Sequence, residues 1–243
     1  MLKREILVGG IPVLVHDNMN MAIESIFSPV ENQVIPGFAV AINPEKVMRA
    51  RMDSGLMATL LSASFRFADG IGVVWALRNK GAKKAARIPG CEFWIALMKK
   101  AGELHQPVFL VGAKPAVLND VHEKLINTFS VNLVGKQDGF FLDEQQDELI
   151  QRIKASSARI VTVAMGSPRQ ELFIHQCRQD YPDAFYMGVG GTYDVFSGNV
   201  KRAPDWACRL NVEWLYRLVS NPSRLGRQVV LLKYLGLLLI KRL

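Results

Sequence analysis

Apolar and polar positions along this chain follow one recurring order: a short apolar run, a polar turn carrying glycine, proline, asparagine or aspartate, then a longer segment with apolar residues at helical spacing. Apolar runs of roughly four to eight residues bounded by turn signals fit buried strands, and apolar residues recurring every three or four positions fit one face of a helix. The order is clearest from Ala158 to Pro204, ARIVTVAMGSPRQELFIHQCRQDYPDAFYMGVGGTYDVFSGNVKRAP, where two apolar runs each end abruptly in glycine and a polar turn. The first leads into MGSPRQE, a tight loop and a helix start with Pro168 near the first position, where its missing N–H leaves no bond unmade. The second ends in GVGG, followed by Thr192, Tyr193 and Asp194.

The same order extends over most of the chain. A short strand is predicted at Ile11 to Val15, and GFAVAINPEKV reads as a buried strand ending at Asn43-Pro44 with a helix after it. Pro44 suits the first turn of that helix, and the Asn43 side chain can cap its free amides. In LLSASFRFADGIGVVWALR a strand-like run stops at Asp69-Gly70 before a helical segment, so Asp69 stands at a strand's carboxyl end, with Gly70 and Gly72 expected to leave room around it. RIPGCEFWIALMKKAGEL predicts a helix with Phe93, Leu97 and Met98 on its core face and Arg87 just before the turn. PVFLVG and VNLVG read as strands, GAKPAVLNDVHEKLINTF and DEQQDELIQRIKAS as helices, the last with acidic residues in its first turn as the helix dipole favours.

Strands alternating with helices predict an α/β fold, a Rossmann-like, mostly parallel sheet covered by helices on both faces. From Trp206 the pattern is helical only: NVEWLYRLVS, then PSRLGRQVVLLKYLGLLLIKRL. The expected organisation is one α/β catalytic unit over residues 1–204 and a helical appendage over residues 205–243. In such sheets ligands collect beyond the carboxyl ends of the strands, where loop amides and helix N-termini offer donors to anions. The candidate ligand-binding residues at these strand ends are therefore Asn43, Gly112, Lys114, Gly166, Gly190 and Gly191. Asp69 is the candidate general base, weighed against a turn aspartate that caps the following helix.

Composition narrows the class. Of 243 residues, 49% are apolar and 21% charged, as in a globular chain with a sizeable core. Cys91, Cys177 and Cys208 are odd in number and lack CxxC spacing, which points to a reducing compartment and to neither a disulfide framework nor a zinc site. The first twenty residues carry no sustained apolar segment, so secretion is not expected. The net charge is +8, and nine Lys/Arg against two acidic residues from Lys201 onward place +7 of it in the tail. That asymmetry points to an anionic membrane surface or a nucleic acid. Val229 to Ile240 is an apolar run of 12 residues with Lys233 inside it. Spanning a bilayer takes about 20 residues, so this run does not span. Flanked by Arg224, Arg227, Lys241 and Arg242, it suits the headgroup region of anionic lipid, and a nucleic-acid partner would need no such apolar run. The competing reading is a helix packed on the body.

Motifs exclude more than they assign. HExxH, GxSxG, EF-hand, Walker and DxD patterns are absent, as is GxGxxG after the first strands, and His16, His105, His122 and His175 are scattered. Metal, Ser/Cys-nucleophile and dinucleotide chemistry are thereby disfavoured. A departing diphosphate would have to be met by loop amides, a helix N-terminus and an arginine.

The motifs FRFADGIG, VAMGSPRQE, GVGGTYDVFSG, RAP and EWLYRLVSNPSR, in this order over roughly residues 35 to 235, resemble the bacterial glycosyltransferase family that includes the N-acetylmannosaminyltransferase of wall teichoic acid synthesis. The resemblance implies an inverting transfer of a sugar from UDP to a polyprenyl-diphosphate-linked N-acetylglucosamine at the cytoplasmic face of the inner membrane, with no metal or other cofactor. It places the family's catalytic aspartate on Asp69 and implies substrate-binding roles for Gln170, where its glutamine falls, for Arg87, where its arginine falls, and for Asp194, where its aspartate after the glycine pair falls. It also implies that Arg217, Arg224 and Arg227 attach the tail to the membrane or close over the site, and leaves room for a homo-oligomer. Ala41 stands where teichoic-acid members carry threonine, and Glu92 where many carry aspartate, which points to a different donor sugar.

Overall fold

The structure, a computed structural model, describes residues 4–201, 203–204, 225–240 and 242–243. A β-hairpin opens the chain: β1 (Glu5–Val8) and β2 (Ile11–Leu14) pair antiparallel through Gly9 and Gly10, both at positive φ. A two-residue hairpin turn of this kind needs positive φ at both positions, which glycine adopts without strain. The sequence reading found β2 and passed over β1, although the glycine pair between two apolar runs is the hairpin's own signal.

The remaining elements are α1 (Met19–Glu24), β3 (Gly37–Ile42), α2 (Pro44–Ala50), α3 (Ser54–Leu61), β4 (Phe65–Ala68), α4 (Ile71–Asn79), α5 (Gly90–Glu103), β5 (Pro107–Gly112), α6 (Pro115–Phe129), β6 (Asn132–Gln137), a 3-10 turn at Asp143–Gln145, α7 (Gln146–Ala155), β7 (Ile160–Ala164), α8 (Arg169–Asp180), β8 (Phe185–Gly188), α9 (Thr192–Ser197) and α10 (Leu225–Leu239). The eight strands form one sheet in the order β1-β2-β4-β3-β8-β7-β5-β6, and every pairing from β2 to β6 is parallel. The α/β class follows.

Both faces of the sheet are covered, and the central strands explain how. Phe38, Val40 and Ile42 of β3, Phe109 and Val111 of β5 and Val161 and Val163 of β7 enter one core with α2, α3, α4, α7, α8 and α10. Ala39, Val108, Leu110, Ile160, Phe185 and Met187 enter the other with α1, α5, α6 and α9. Alternate residues of a strand point to opposite faces, so a strand buried on both sides reads as an unbroken apolar run. Phe93, Leu97 and Met98 of α5 are fully buried, as their helical spacing predicts.

The tail helix α10 lies against α2 and α4. Tyr234 is 1% exposed, and its hydroxyl donates to the Gly72 carbonyl at 3.1 Å. Lys80 Nζ bonds the carbonyls of Leu7 and Leu243, and Arg51 donates to the Arg242 carbonyl at 3.4 Å. On the outer side Leu232 is 69% and Leu239 81% exposed, with Leu235 and Ile240 exposed beside them. Packing on the body and presentation of an apolar surface thus occur together on opposite sides of one helix.

Gly70 and Gly72 do not open space around Asp69, as the sequence reading expected. A Cβ on Gly70 would lie 2.7 Å from Pro44 Cδ, and one on Gly72 would lie 2.9 Å from Pro44 Cγ and 3.1 Å from Tyr234 Cε1. The room is filled by the start of α2 and by the tail helix. Tyr234→Phe, which removes one hydrogen bond, is expected to cost about 1 kcal/mol in urea unfolding. Tyr234→Ala, which also opens a cavity, is expected to cost roughly 3–5 kcal/mol. A neutral Tyr234→Ala would show that α10 is not docked through this residue.

Candidate active site

Because the sheet runs parallel from β2 to β6, the loops after β4, β3, β8, β7 and β5 emerge side by side on one edge. They carry Asp69, Asn43, Gly190, Gly166 and Lys114 in that spatial order. The helix after β3 covers one face and the helix after β8 the other, as Val47 and Tyr193 show by entering different cores. Adjacent strands whose chains leave in opposite directions open a crevice between them.

Asp69 directly follows β4, its backbone N–H donating to the Ile42 carbonyl at 3.0 Å. Its Oδ1 accepts from the Gly90 N–H at 2.9 Å, and its carbonyl accepts from Arg87 Nε at 2.7 Å. The segment between them is tied down by Ala86 N–H to the His16 carbonyl and Ile88 N–H to the Ala68 carbonyl, each at 2.8 Å. Gly90 is the first residue of α5, a 14-residue helix, and the amino-terminal end of a helix favours negative charge. Asp69 is therefore a capping aspartate, but not for the helix that follows it. Gly70 caps α4 without any side-chain bond, while Asp69 reaches across to α5.

Asn43 caps α2 as expected, its Oδ1 accepting the Lys46 N–H at 2.9 Å. That oxygen serves the fold, and Asn43 stands next to Gly70 at the crevice.

The second group lies between β7 and β8. Gly166 and Gly190 have positive φ, and a Cβ on either, or on Gly191, would meet nothing within 4 Å. These glycines answer to backbone conformation and border open space, as a loop that approaches a ligand with its backbone would. Gln170, expected to hold a ligand, is 4% exposed and sits behind the loop. Its Oε1 accepts from the Gly190 N–H at 3.0 Å, and its Nε2 donates to Glu171 Oε1 at 3.1 Å. Its amide is occupied by protein partners, so it shapes the loop from below.

Glu171 in turn pairs with Lys46 of α2 at 2.8 Å, with both side chains buried. Burial works against its ionisation and is the largest single influence. The Lys46 charge and hydrogen bonds from Lys46, Gln170 and Ser167 together outweigh it and hold the carboxyl below its ordinary value of 4.5. Sequence reasoning missed this pair. Its members stand 125 residues apart, and each reads as an ordinary polar helix position.

Gly112 has positive φ, and a Cβ there would lie 2.4 Å from the Ala164 carbonyl oxygen, so strand packing accounts for this glycine. Lys114 is exposed at the start of α6, one strand beyond the Gly166 loop. Asp194 is half-buried in the first turn of α9. The structure thus joins Asp69 with Arg87, and Gln170 with Gly190, and sets Lys114 and Asp194 on the elements that follow β5 and β8, either side of the Gly166 loop. Arg217 and Arg224 lie outside the described residues, and Arg227 falls on α10. Among the described residues, no three His, Cys, Asp or Glu side chains gather as metal ligands.

A carboxylate, an arginine and three glycine-bearing turns thus converge on the carboxyl edge of a parallel α/β sheet, the place where open α/β folds bind their ligands. The chain belongs to the family described as Glycosyl transferase WecG/TagA/CpsF, whose model matches residues 6–243. It is a glycosyltransferase.

The Lys46–Glu171 pair sets a pH dependence of stability. With its carboxyl lowered in the folded state, Glu171 contributes stability above the ordinary value of 4.5, and that contribution is lost as pH falls through the lower folded value. Glu171→Gln leaves Lys46 buried without its counter-charge and is expected to cost roughly 3–5 kcal/mol at pH 7. The difference from wild type should shrink towards pH 3, which urea unfolding at the two pH values measures. A pH-independent difference would refute the ionised pair.

Proposed function

We propose that this chain is an inverting transferase that moves N-acetylmannosaminuronate from UDP to N-acetylglucosaminyl-diphospho-undecaprenol, the second lipid-linked step of enterobacterial common antigen synthesis. The observation that carries this reading is Asp69, held at the crevice by the Gly90 amide with Arg87 fastened to its own carbonyl. In this reading Asp69 takes the proton from the acceptor hydroxyl as that oxygen bonds to the sugar's anomeric carbon. The bond from that carbon to the UDP oxygen breaks with inversion, and the electron pair leaves with UDP. Arg87 and the amides of the Gly166 and Gly191 turns meet the charge that develops there, with Lys114 and Asp194 on the flanking elements available to the donor.

The family includes N-acetylmannosaminyltransferases, and the same enzyme using N-acetylmannosamine is the alternative. Two residues depart from the teichoic-acid members and fit a different donor sugar. Ala41 lies 3.6 Å from the position a Gly90 side chain would take, so the missing threonine hydroxyl is missing beside the Asp69 anchor. Glu92, in place of aspartate, sits in the first turn of the helix that holds Asp69.

We further propose residues 1–204 as the catalytic unit and residues 205–243 as the part that meets the bilayer on its cytoplasmic side. No helix among the described residues is long and apolar enough to cross a membrane. The support is the outer side of α10, where Leu232, Leu235, Leu239 and Ile240 are exposed on a tail carrying seven Lys/Arg. Apolar residues pressed into the headgroup boundary beside basic ones bind anionic lipid by both burial and charge.

Asp69→Asn is expected to lower turnover roughly 100-fold to 10,000-fold with UDP affinity nearly unchanged. The measurement is transfer to a lipid-linked acceptor from UDP-N-acetylmannosaminuronate and, in parallel, UDP-N-acetylmannosamine. Wild-type turnover in the variant would reduce Asp69 to a structural cap, and faster use of the uncharged sugar would select the alternative.

Attachment is tested without disturbing the core, because Leu232 and Leu239 point away from it. Leu232→Gln with Leu239→Gln should leave the melting temperature unchanged and abolish flotation with anionic liposomes. Flotation of the wild type should weaken only partly in high salt, since the apolar contribution is not screened. Undiminished flotation of the double variant would remove α10 from the membrane surface.

A further inference from the structure

We infer that Lys46 and Glu171 form a buried positioning pair that sets the orientation of the Gln170 amide and thereby holds the Gly190 loop in the shape that receives the donor. A glutamine amide has a donor end and an acceptor end, and its surroundings decide which way it turns. An ionised carboxylate accepts hydrogen bonds only, so Glu171 takes the Nε2 end of Gln170 at 3.1 Å. The Oε1 end is thereby left facing the Gly190 N–H, which it meets at 3.0 Å. Turned over, the amide would aim its donors at Gly190 N–H and its oxygen at a carboxylate, losing both bonds.

The surroundings fix the plane of the amide as well as its direction. A side chain on Gly188 would bring its Cβ 2.6 Å from Gln170 Nε2, so the amide lies directly against β8. Lys46 is held by α2, its own backbone N–H capped by Asn43 at 2.9 Å. The run Asn43, Lys46, Glu171, Gln170, Gly190 therefore crosses the loops after β3, β7 and β8, which are the three central strands around the crevice. Gly190 is at positive φ with open space on its side-chain side, so a bond to its amide is what keeps that turn in one place. Neither Lys46 nor Glu171 reaches the crevice, and their effect on turnover passes through Gln170.

A purely structural ion pair would predict something different. Removing one buried charge is strongly destabilising, whereas replacing both by apolar residues of similar volume is often neutral for stability. Lys46→Met with Glu171→Leu should therefore fold with a melting temperature near wild type, yet release the Gln170 amide. Amide hydrogen exchange at Gly190, read by NMR on the full chain without any ligand, should then rise about tenfold. Lys46→Met with Glu171→Gln retains an oxygen acceptor for Gln170 Nε2 and should return the exchange rate towards wild type. Gln170→Leu, which leaves the ion pair intact, should raise it as the apolar pair does.

The consequence for the donor rests on the reading under Proposed function. In the apolar-pair variant KM for the UDP-sugar should rise about tenfold while kcat falls by less, the mark of lost ground-state binding. Failure of UDP to stabilise even the wild type in a thermal shift would overturn the donor reading and leave the exchange result standing. Wild-type exchange at Gly190 in a folded apolar-pair variant would overturn the positioning pair. Should that variant not fold, wild-type exchange in Gln170→Leu would overturn it equally, and faster exchange there with rescue in the glutamine variant would uphold it.

Discussion

Pro44 lies so close to the loop after β4 that neither Gly70 nor Gly72 can carry a side chain, and the rest of the crevice is arranged around that contact. A proline at the first turn of a helix gives up no hydrogen bond, which makes it a rigid apolar wedge that the fold can press against another chain segment. Here the wedge meets the two residues that flank Ile71, immediately after Asp69. The seven residues of α2 go on to supply Lys46 to the loop after β7 and Val47 and Ala50 to the core shared with α10. One short helix thus touches the aspartate loop, the glutamine loop and the tail. It is too short to be stable alone, so its order depends on these three contacts as much as theirs depend on it.

The two polar constellations of the crevice are built on opposite terms. Asp69 lies half-exposed, with its carboxylate accepting from the first amide of α5, at a helix N-terminus that favours negative charge. Glu171 is 1% exposed and has Lys46 to offset its desolvation. A carboxylate that must exchange a proton with a substrate belongs in the first setting and one that must stay charged in the second. The separation of roles follows from burial and partner, although the residue types differ by one methylene.

Much of this was legible in the sequence. Apolar runs ending at Asn43, Asp69, Gly112, Gly166 and the GVGG turn mark strand ends, and a parallel sheet brings strand ends to one edge whatever the strand order. The residues at those ends could therefore be named without knowing that β8 lies between β3 and β7. Contacts that depend on the order itself were not legible. Lys46 meets Glu171 only because the helices after β3 and β7 share a face. Gln170 turned out to serve the loop from beneath because Gly188 leaves its side clear, a relation between neighbouring strands that no spacing encodes. Gly70 and Gly72 were read as openings for the same reason. A glycine signals close approach, but not by what.

The tail helix makes the most consequential use of such an approach. Tyr234 reaches the Gly72 carbonyl from the face of α10 opposite Leu232 and Leu239, so the helix is fastened to the start of α4, beside Asp69, on one side and presents apolar residues on the other. Gly72 is three residues from Asp69, and backbone that close cannot shift without moving its neighbour. If the outer side seats in the headgroup region as proposed, the bilayer and the general base lie on the two sides of a single packed helix. A polyprenyl-linked acceptor, as proposed, would stay in the bilayer and offer its sugar only near the surface. Fixing α10 to the aspartate loop rather than to a distant face would then place the crevice at a constant height above the membrane. The rigidity of the Tyr234 contact, more than the strength of lipid binding, would set how well acceptor and base meet.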